Sequence, residues 1–124
     1  MKIYGDLKSG NCYKLKLLCH LLQLEHEWVH VDILREETRT PGFLILNPNA
    51  KVPLLELNDG RTLSESNAIL NYLASGSALL PQDNFTLAKV LQWQFFEQYS
   101  HEPYIAVARF IACYLGLPEE RRAE

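Results

Sequence analysis

Apolar positions recur in short runs separated by turn residues over roughly the first 74 residues, and at helical spacing alone beyond residue 84. Lys2 to Gly5 reads as a short strand entering the core, followed by a polar loop from Asp6 to Gly10. From Asn11, Cys12, Leu15, Leu18, Cys19 and Leu22 share one helical face, with Lys14, Lys16, His20 and Gln23 facing away, which predicts a helix to about Leu24. Glu27 to Asp32 has the aromatic and branched content of a second strand, and strand, helix, strand implies a right-handed parallel crossover. Ile33 to Thr40 is charged and reads as an irregular loop. Pro41 to Leu46 is a short helix opened by proline at its first position.

The next twenty residues, Asn47 to Ser66, carry four structural instructions. Asn47-Pro48-Asn49 stops the preceding helix, because proline cannot continue it and biases the residue before it away from helical geometry. Pro53 to Leu57 and Arg61 to Leu63 are apolar runs joined by Asn58-Asp59-Gly60, and the Asp-Gly pair is expected to supply the positive backbone angles of a tight antiparallel hairpin. Ser64-Glu65-Ser66-Asn67 offers capping side chains before Ile69, Leu70, Tyr72 and Leu73, so a helix should begin within a residue or two of Glu65, beside the start of the hairpin. An anion could be held between that helix N-terminus, with its unsatisfied N–H groups and partial positive charge, and the backbone next to Pro53.

Ser75 to Asn84 is rich in Gly, Ser and Pro, and the strand signals stop there. Phe85 to Tyr99 and Ile105 to Leu115 are helical by spacing, with Pro103 either kinking one long helix or starting a second. The expected organisation is an α/β domain over residues 1–76, a linker over 77–84 and the start of an all-α domain over 85–124. Trp93, Phe95, Phe96 and Tyr99 need apolar partners beyond these 124 residues or from another subunit, so the chain reads as truncated.

Composition narrows the function classes. With 124 residues, 48% hydrophobic and 22% charged, the chain is ordinary for a soluble protein, and a net charge of −3 gives no reason to invoke nucleic acid. No run reaches the ~18 apolar residues of a membrane span, and the N-terminus lacks the layout of a signal peptide, so a cytoplasmic protein is expected. Three cysteines, Cys12, Cys19 and Cys113, suit a reducing compartment. Cys12 and Cys19, seven apart on one helix, would be separated by about 10.5 Å, beyond disulfide reach. The histidines form no close pair on a helix face, so no metal is expected.

The sequence Lys51-Val52-Pro53, a hairpin, then Glu65-Ser66-Asn67-Ala68-Ile69-Leu70 resembles the glutathione site of the cytosolic glutathione transferases. In that family a cis-proline follows Val or Ile, and a Glu-Ser pair opens the next helix. The resemblance spans most of the chain and implies a thioredoxin-like β-α-β-α-β-β-α domain with a mixed sheet, followed by the helical domain that normally meets the second substrate. Ser9-Gly10-Asn11-Cys12 resembles the active-site turn of the serine-type members, theta- and delta-like or bacterial, although their usual proline before the cysteine is Asn11 here and their usual arginine after it is Tyr13. By that match Ser9 is the hydroxyl that activates the glutathione thiol, with Asn11, Cys12 and Tyr4 as alternatives. The chemistry needs such a donor, because a free thiol with a pKa of about 8.5 is mostly protonated at neutral pH.

For the rest of the ligand, the resemblance assigns backbone atoms at Val52, before Pro53, to the cysteinyl moiety, Glu65 and Ser66 to the γ-glutamyl end, and Lys51 to the glycine carboxylate. The plainer readings are that Ser9 is only a helix cap, Cys12 a core residue and Lys51 a solvated lysine. The implied function is a transferase that conjugates glutathione, its co-substrate, to a hydrophobic electrophile in detoxification, as a homodimer. A glutathione-dependent disulfide oxidoreductase and a non-catalytic glutathione-binding or scaffold protein are the alternatives.

Overall fold

The computed structural model describes residues 1–115. They fall into two units, Met1–Leu80 and the part from Pro81 onward, each described by itself.

The first unit is a four-stranded sheet with helices. Strand β1 (Lys2–Gly5) leads to helix α1 (Gly10–Leu21), strand β2 (Glu27–His30), helix α2 (Pro41–Leu46), strands β3 (Leu54–Glu56) and β4 (Thr62–Ser64), and helix α3 (Ser66–Ala74). The sheet order is β2-β1-β3-β4. β1 and β2 run parallel through the α1 crossover, whereas β3 is antiparallel to β1 and β4 antiparallel to β3. This is the thioredoxin-like order that the chain predicts.

Ile3, Leu15, Cys19, Leu55 and Ile69 form a buried cluster that joins β1, α1, β3 and α3. Val31, Phe43 and Leu54 form another, with Tyr4, Leu46 and Val52 packed against it. Gly5 lies where no side chain fits: a Cβ there would sit 2.9 Å from Trp28 Cζ2 and 3.0 Å from Cys12 Sγ. Gly5→Ala is therefore expected to destabilise the domain by about 1–3 kcal/mol through overpacking, seen as a lower urea midpoint. An unchanged midpoint would mean that the indole swings away at little cost.

Several element boundaries differ from expectation. Helix α1 stops at Leu21 rather than Leu24, because Gln23 takes a left-handed conformation (φ 52°) and the Leu24 N–H returns to the Cys19 carbonyl. β2 ends at His30 and not Asp32, since the Asp32 carboxylate accepts from the Leu34 and Arg35 N–H groups and opens a 3-10 turn, Ile33–Arg35. The charged segment is thus ordered, with a second 3-10 turn at Glu37–Arg39 and Glu37 Oε2 accepting the Asp32 N–H at 2.7 Å. In the hairpin only Gly60 has positive φ (85°). Asp59 does not, because the Gly60 N–H to Leu57 carbonyl bond and the Leu57 N–H to Arg61 carbonyl bond close a three-residue loop instead of a two-residue one. The paired strands are correspondingly shifted, to Leu54–Glu56 and Thr62–Ser64.

Beyond residue 80, Asp83 caps helix α4 (Asn84–Phe96) by accepting from the Phe85 and Thr86 N–H groups. A π segment, Glu97–His101, then leads into helix α5 (Glu102–Cys113). The helix therefore starts one residue earlier than its spacing suggested and runs on through a π turn before Pro103, which has no N–H to return to the preceding turn. Trp93, Phe95, Phe96 and Tyr99 are all exposed. Among the described residues no helix is long and apolar enough to cross a membrane.

Candidate functional site

The sheet register brings the predicted site segments to one edge. Tyr4 of β1 pairs with Leu54 of β3, and Leu54 with Ser64 of β4. The residues that leave the sheet at that end are Gly5 and Asp6 toward α1, Lys51 to Pro53 arriving at β3, and Glu65 and Ser66 opening α3. The three segments are distant in sequence and adjacent by register. The Val52–Pro53 peptide bond is cis.

At the first segment, Ser9 is the N-cap residue of α1 with extended backbone (φ −81°, ψ 125°), and its side chain makes no capping hydrogen bond. Cys12 is fully buried. Burial pushes its thiol pKa up, and hydrogen bonds from the Ser9 side chain and the Asp6 backbone oppose that shift without reversing it. Cys12 is therefore a protonated thiol at neutral pH. Asn11 is half-buried one position before it.

Asp6, which by sequence is one more polar loop residue, organises this turn. It is 1% exposed. Its carboxylate accepts from the Lys8 N–H at 2.9 Å and the Ile33 N–H at 3.5 Å, while its carbonyl accepts from the Ser9 N–H at 2.9 Å. One buried side chain thus fixes the Ser9 turn to the segment that follows β2. The Asp-x-Lys pattern of an Asx turn was the available signal; the bond to Ile33 had none.

Asn47 plays the corresponding part at the second segment. It is 3% exposed, its Nδ2 donates to the Lys51 carbonyl at 2.8 Å, and its Oδ1 accepts from the Asn49 N–H at 3.2 Å. The backbone just before Val52 is thereby held from within, while the Lys51 side chain stays exposed. The pattern Asn-Pro-Asn reads as a turn; that Asn47 faces inward follows only from the fold.

At the third segment, Glu65 is the N-cap residue of α3, with positive φ (68°) and no side-chain cap bond. The expected capping by Ser64 to Asn67 is accordingly corrected. Glu65 is exposed, the Ser66 hydroxyl donates to Asn11 Oδ1 at 3.1 Å, and Asn67 Oδ1 accepts from Lys14 Nζ at 2.7 Å. Lys14 does not face away from the core as the helical pattern suggested, because α1 and α3 lie side by side and it reaches across. Lys16 is likewise half-buried, its ammonium 5.4 Å from the Trp28 ring centroid.

Tyr4 is committed elsewhere. Its hydroxyl donates to Glu56 Oε2 at 2.5 Å, and its ring meets Phe43 edge-on. That hydrogen bond, together with burial and the nearby carboxylate charge, pushes its pKa up to about 12. A phenol so held is no source of phenolate and has its proton engaged. Among the described residues, no group of three or more His, Cys, Asp or Glu could hold a metal ion.

The chain is similar to several known proteins. Residues 9–75 match the family model "Glutathione S-transferase, N-terminal domain". A glutathione S-transferase structure from Pseudomonas fluorescens Pf-5 is similar at 65% identity with a TM-score of 0.94, over 98% of this chain and 61% of that one. A glutathione transferase homolog from Drosophila mojavensis, solved with bound glutathione, is 30% identical with a TM-score of 0.81, over 97% of this chain and 58% of that one. Protein URE2 of Meyerozyma guilliermondii is 31% identical over 115 residues, which is 86% of this chain and 38% of that protein. The chain thus spans 38% of that URE2 protein and 58–61% of the two structures, in each case less than two thirds.

Proposed function

Because the chain belongs to the glutathione S-transferase family, we propose that it carries the glutathione site of a transferase that conjugates the glutathione thiolate to a hydrophobic electrophile. The observation that carries this reading is the meeting of two helix N-termini, Ser9 to Asn11 and Glu65 to Ser66, at the sheet edge where Pro53 enters β3. One supplies donors for a sulfur anion and the other a place for the γ-glutamyl end. The two are joined by a hydrogen bond.

In this reading Ser9 is the principal activator of the bound thiol. Its hydroxyl makes no capping bond and sits at the positive end of the α1 dipole, where an anion is stabilised. Asn11 is a second donor, and Cys12 is a buried thiol in the first turn of the same helix. The Val52 backbone before Pro53 pairs with the cysteinyl moiety, and Lys51 takes the glycine carboxylate. Glu65 takes the ligand ammonium, and the Ser66 hydroxyl the α-carboxylate. The full-length protein acts as a cytoplasmic homodimer. A disulfide oxidoreductase using Cys12 is disfavoured, because full burial and the raised pKa keep that sulfur protonated and out of reach of a mixed disulfide.

Calorimetric titration of the full-length protein with glutathione, followed by assays on an aryl halide and on a mixed disulfide, tests the proposal. Binding with turnover of the aryl halide is the expected result. Turnover of the disulfide alone would install the oxidoreductase, and binding without turnover of either would leave a non-catalytic binding protein. Glu65→Ala is expected to weaken glutathione by roughly fivefold, the worth of an exposed ion pair of about 1 kcal/mol, with the unfolding midpoint unchanged. Unaltered affinity would remove Glu65 from the site.

A further inference from the structure

The bond between Ser66 and Asn11 spans 55 positions and links the two ends of the site. It is not an isolated contact: Lys14, one turn further along α1, donates from Nζ to Oδ1 of Asn67, the residue after Ser66, at 2.7 Å. Ser66 is 3% exposed, so little of it faces water while its hydroxyl meets Asn11. A hydroxyl has one proton to donate, and here Asn11 Oδ1 receives it. The carboxamide is planar, so an oxygen turned toward Ser66 turns the NH2 group away from it.

We propose that the Ser66 hydroxyl proton has two destinations, and that ligand binding moves it from one to the other. In the ligand-free chain it goes to Asn11 Oδ1. In the complex it goes to the α-carboxylate of the γ-glutamyl residue, and the Asn11 carboxamide is released to turn its NH2 toward the sulfur. The inference rests on the site reading of the previous subsection. No bond is made or broken beyond hydrogen bonds.

The direction of the exchange follows from the acceptors. A carboxylate is charged and Asn11 Oδ1 is not, and a charge-assisted hydrogen bond is the stronger of the two. Once released, the carboxamide NH2 has its own charged acceptor in the thiolate. Occupation of the γ-glutamyl end thereby prepares the thiol end, which makes Ser66 and Asn11 a positioning pair. γ-Glutamyl thiols would then be selected through thiol activation as well as through affinity.

The test uses γ-glutamylglycine, which has the γ-glutamyl end and no sulfur, on the 15N-labelled full-length protein. The side-chain NH2 resonances of Asn11 are identified by their loss in Asn11→Ala. Saturating γ-glutamylglycine is expected to shift them although nothing occupies the thiol position. In Ser66→Ala they should be displaced already in the ligand-free protein, and γ-glutamylglycine at saturation should move them no further. Ser66→Thr, which keeps a hydroxyl donor, should restore the ligand-dependent shift and controls for a misfolded alanine variant. Saturation without any shift in the wild type, or an equal shift in Ser66→Ala, would overturn the coupling while leaving the glutathione site standing. Failure of both glutathione and γ-glutamylglycine to bind would overturn the site reading and the coupling with it.

Discussion

Ser9→Ala in the full-length protein is expected to raise the pKa of the bound glutathione thiol and to lower turnover about 10- to 100-fold, with ground-state affinity nearly intact. The effect is differential. The Ser9 hydroxyl donates more strongly to a thiolate than to a thiol, and a hydrogen bond to a charged group contributes about 1.5–3 kcal/mol. Its presence lowers the pKa of the bound thiol. Its removal moves the thiolate profile to higher pH, so that less thiolate is present at neutral pH and the deficit closes as pH rises. Through the transition-state relation the same energy gives the stated loss of rate where thiolate formation limits the reaction.

Unfolding midpoints of the two proteins separate this result from a loss of stability, since the Ser9 side chain makes no capping bond to α1 but lies near the buried Cys12 thiol. The measurement is the pH profile of thiolate absorbance in wild type and variant. Coincident profiles, with Asn11→Ala shifted upward instead, would transfer the main role to Asn11.

Ile69→Ala should destabilise the first domain by about 2–5 kcal/mol, the range for emptying a large aliphatic side chain from a closed core. Ile69 is fully buried and lies in the cluster of Ile3, Leu15, Cys19 and Leu55, with Leu70 and Leu73 packed around it. It is the α3 side chain that is fully buried in that cluster. Glu65 and Ser66 stand one turn before it on the same helix, so loosening this anchor also blurs the donors at the γ-glutamyl end. Urea denaturation decides the matter, read as a lower midpoint at unchanged slope. A change below about 1 kcal/mol would mean that the core closes over the lost volume, contrary to the packing around Ile3 and Leu55.

The element order was legible because each signal is local. Leu15, Leu18 and Cys19 repeat at helical spacing, Pro41 opens α2, and Pro53 with Gly60 brackets β3 and the turn after it. The boundaries were less so, since Asp32 caps a turn inside a charged run and Gln23 takes a left-handed conformation that its residue type does not announce. The 3-10 turns between β2 and α2 hid within a charged run. Hydropathy has no period for elements of three residues.

The sequence by itself determined which groups stand at the two helix starts and at the proline before β3, because caps, turns and prolines act through neighbours within four residues. Only the tertiary structure decided what those groups do to one another. That Asp6 and Asn47 face inward to hold the turns at Ser9 and Lys51, that Glu56 engages the Tyr4 hydroxyl, and that Ser66 reaches Asn11 all depend on strand register and helix packing. A polar side chain has the same local pattern whether it faces water or a partner fifty residues away. Its burial, and therefore its partner, is fixed only when β1, β3 and β4 pair and α1 comes to lie against α3.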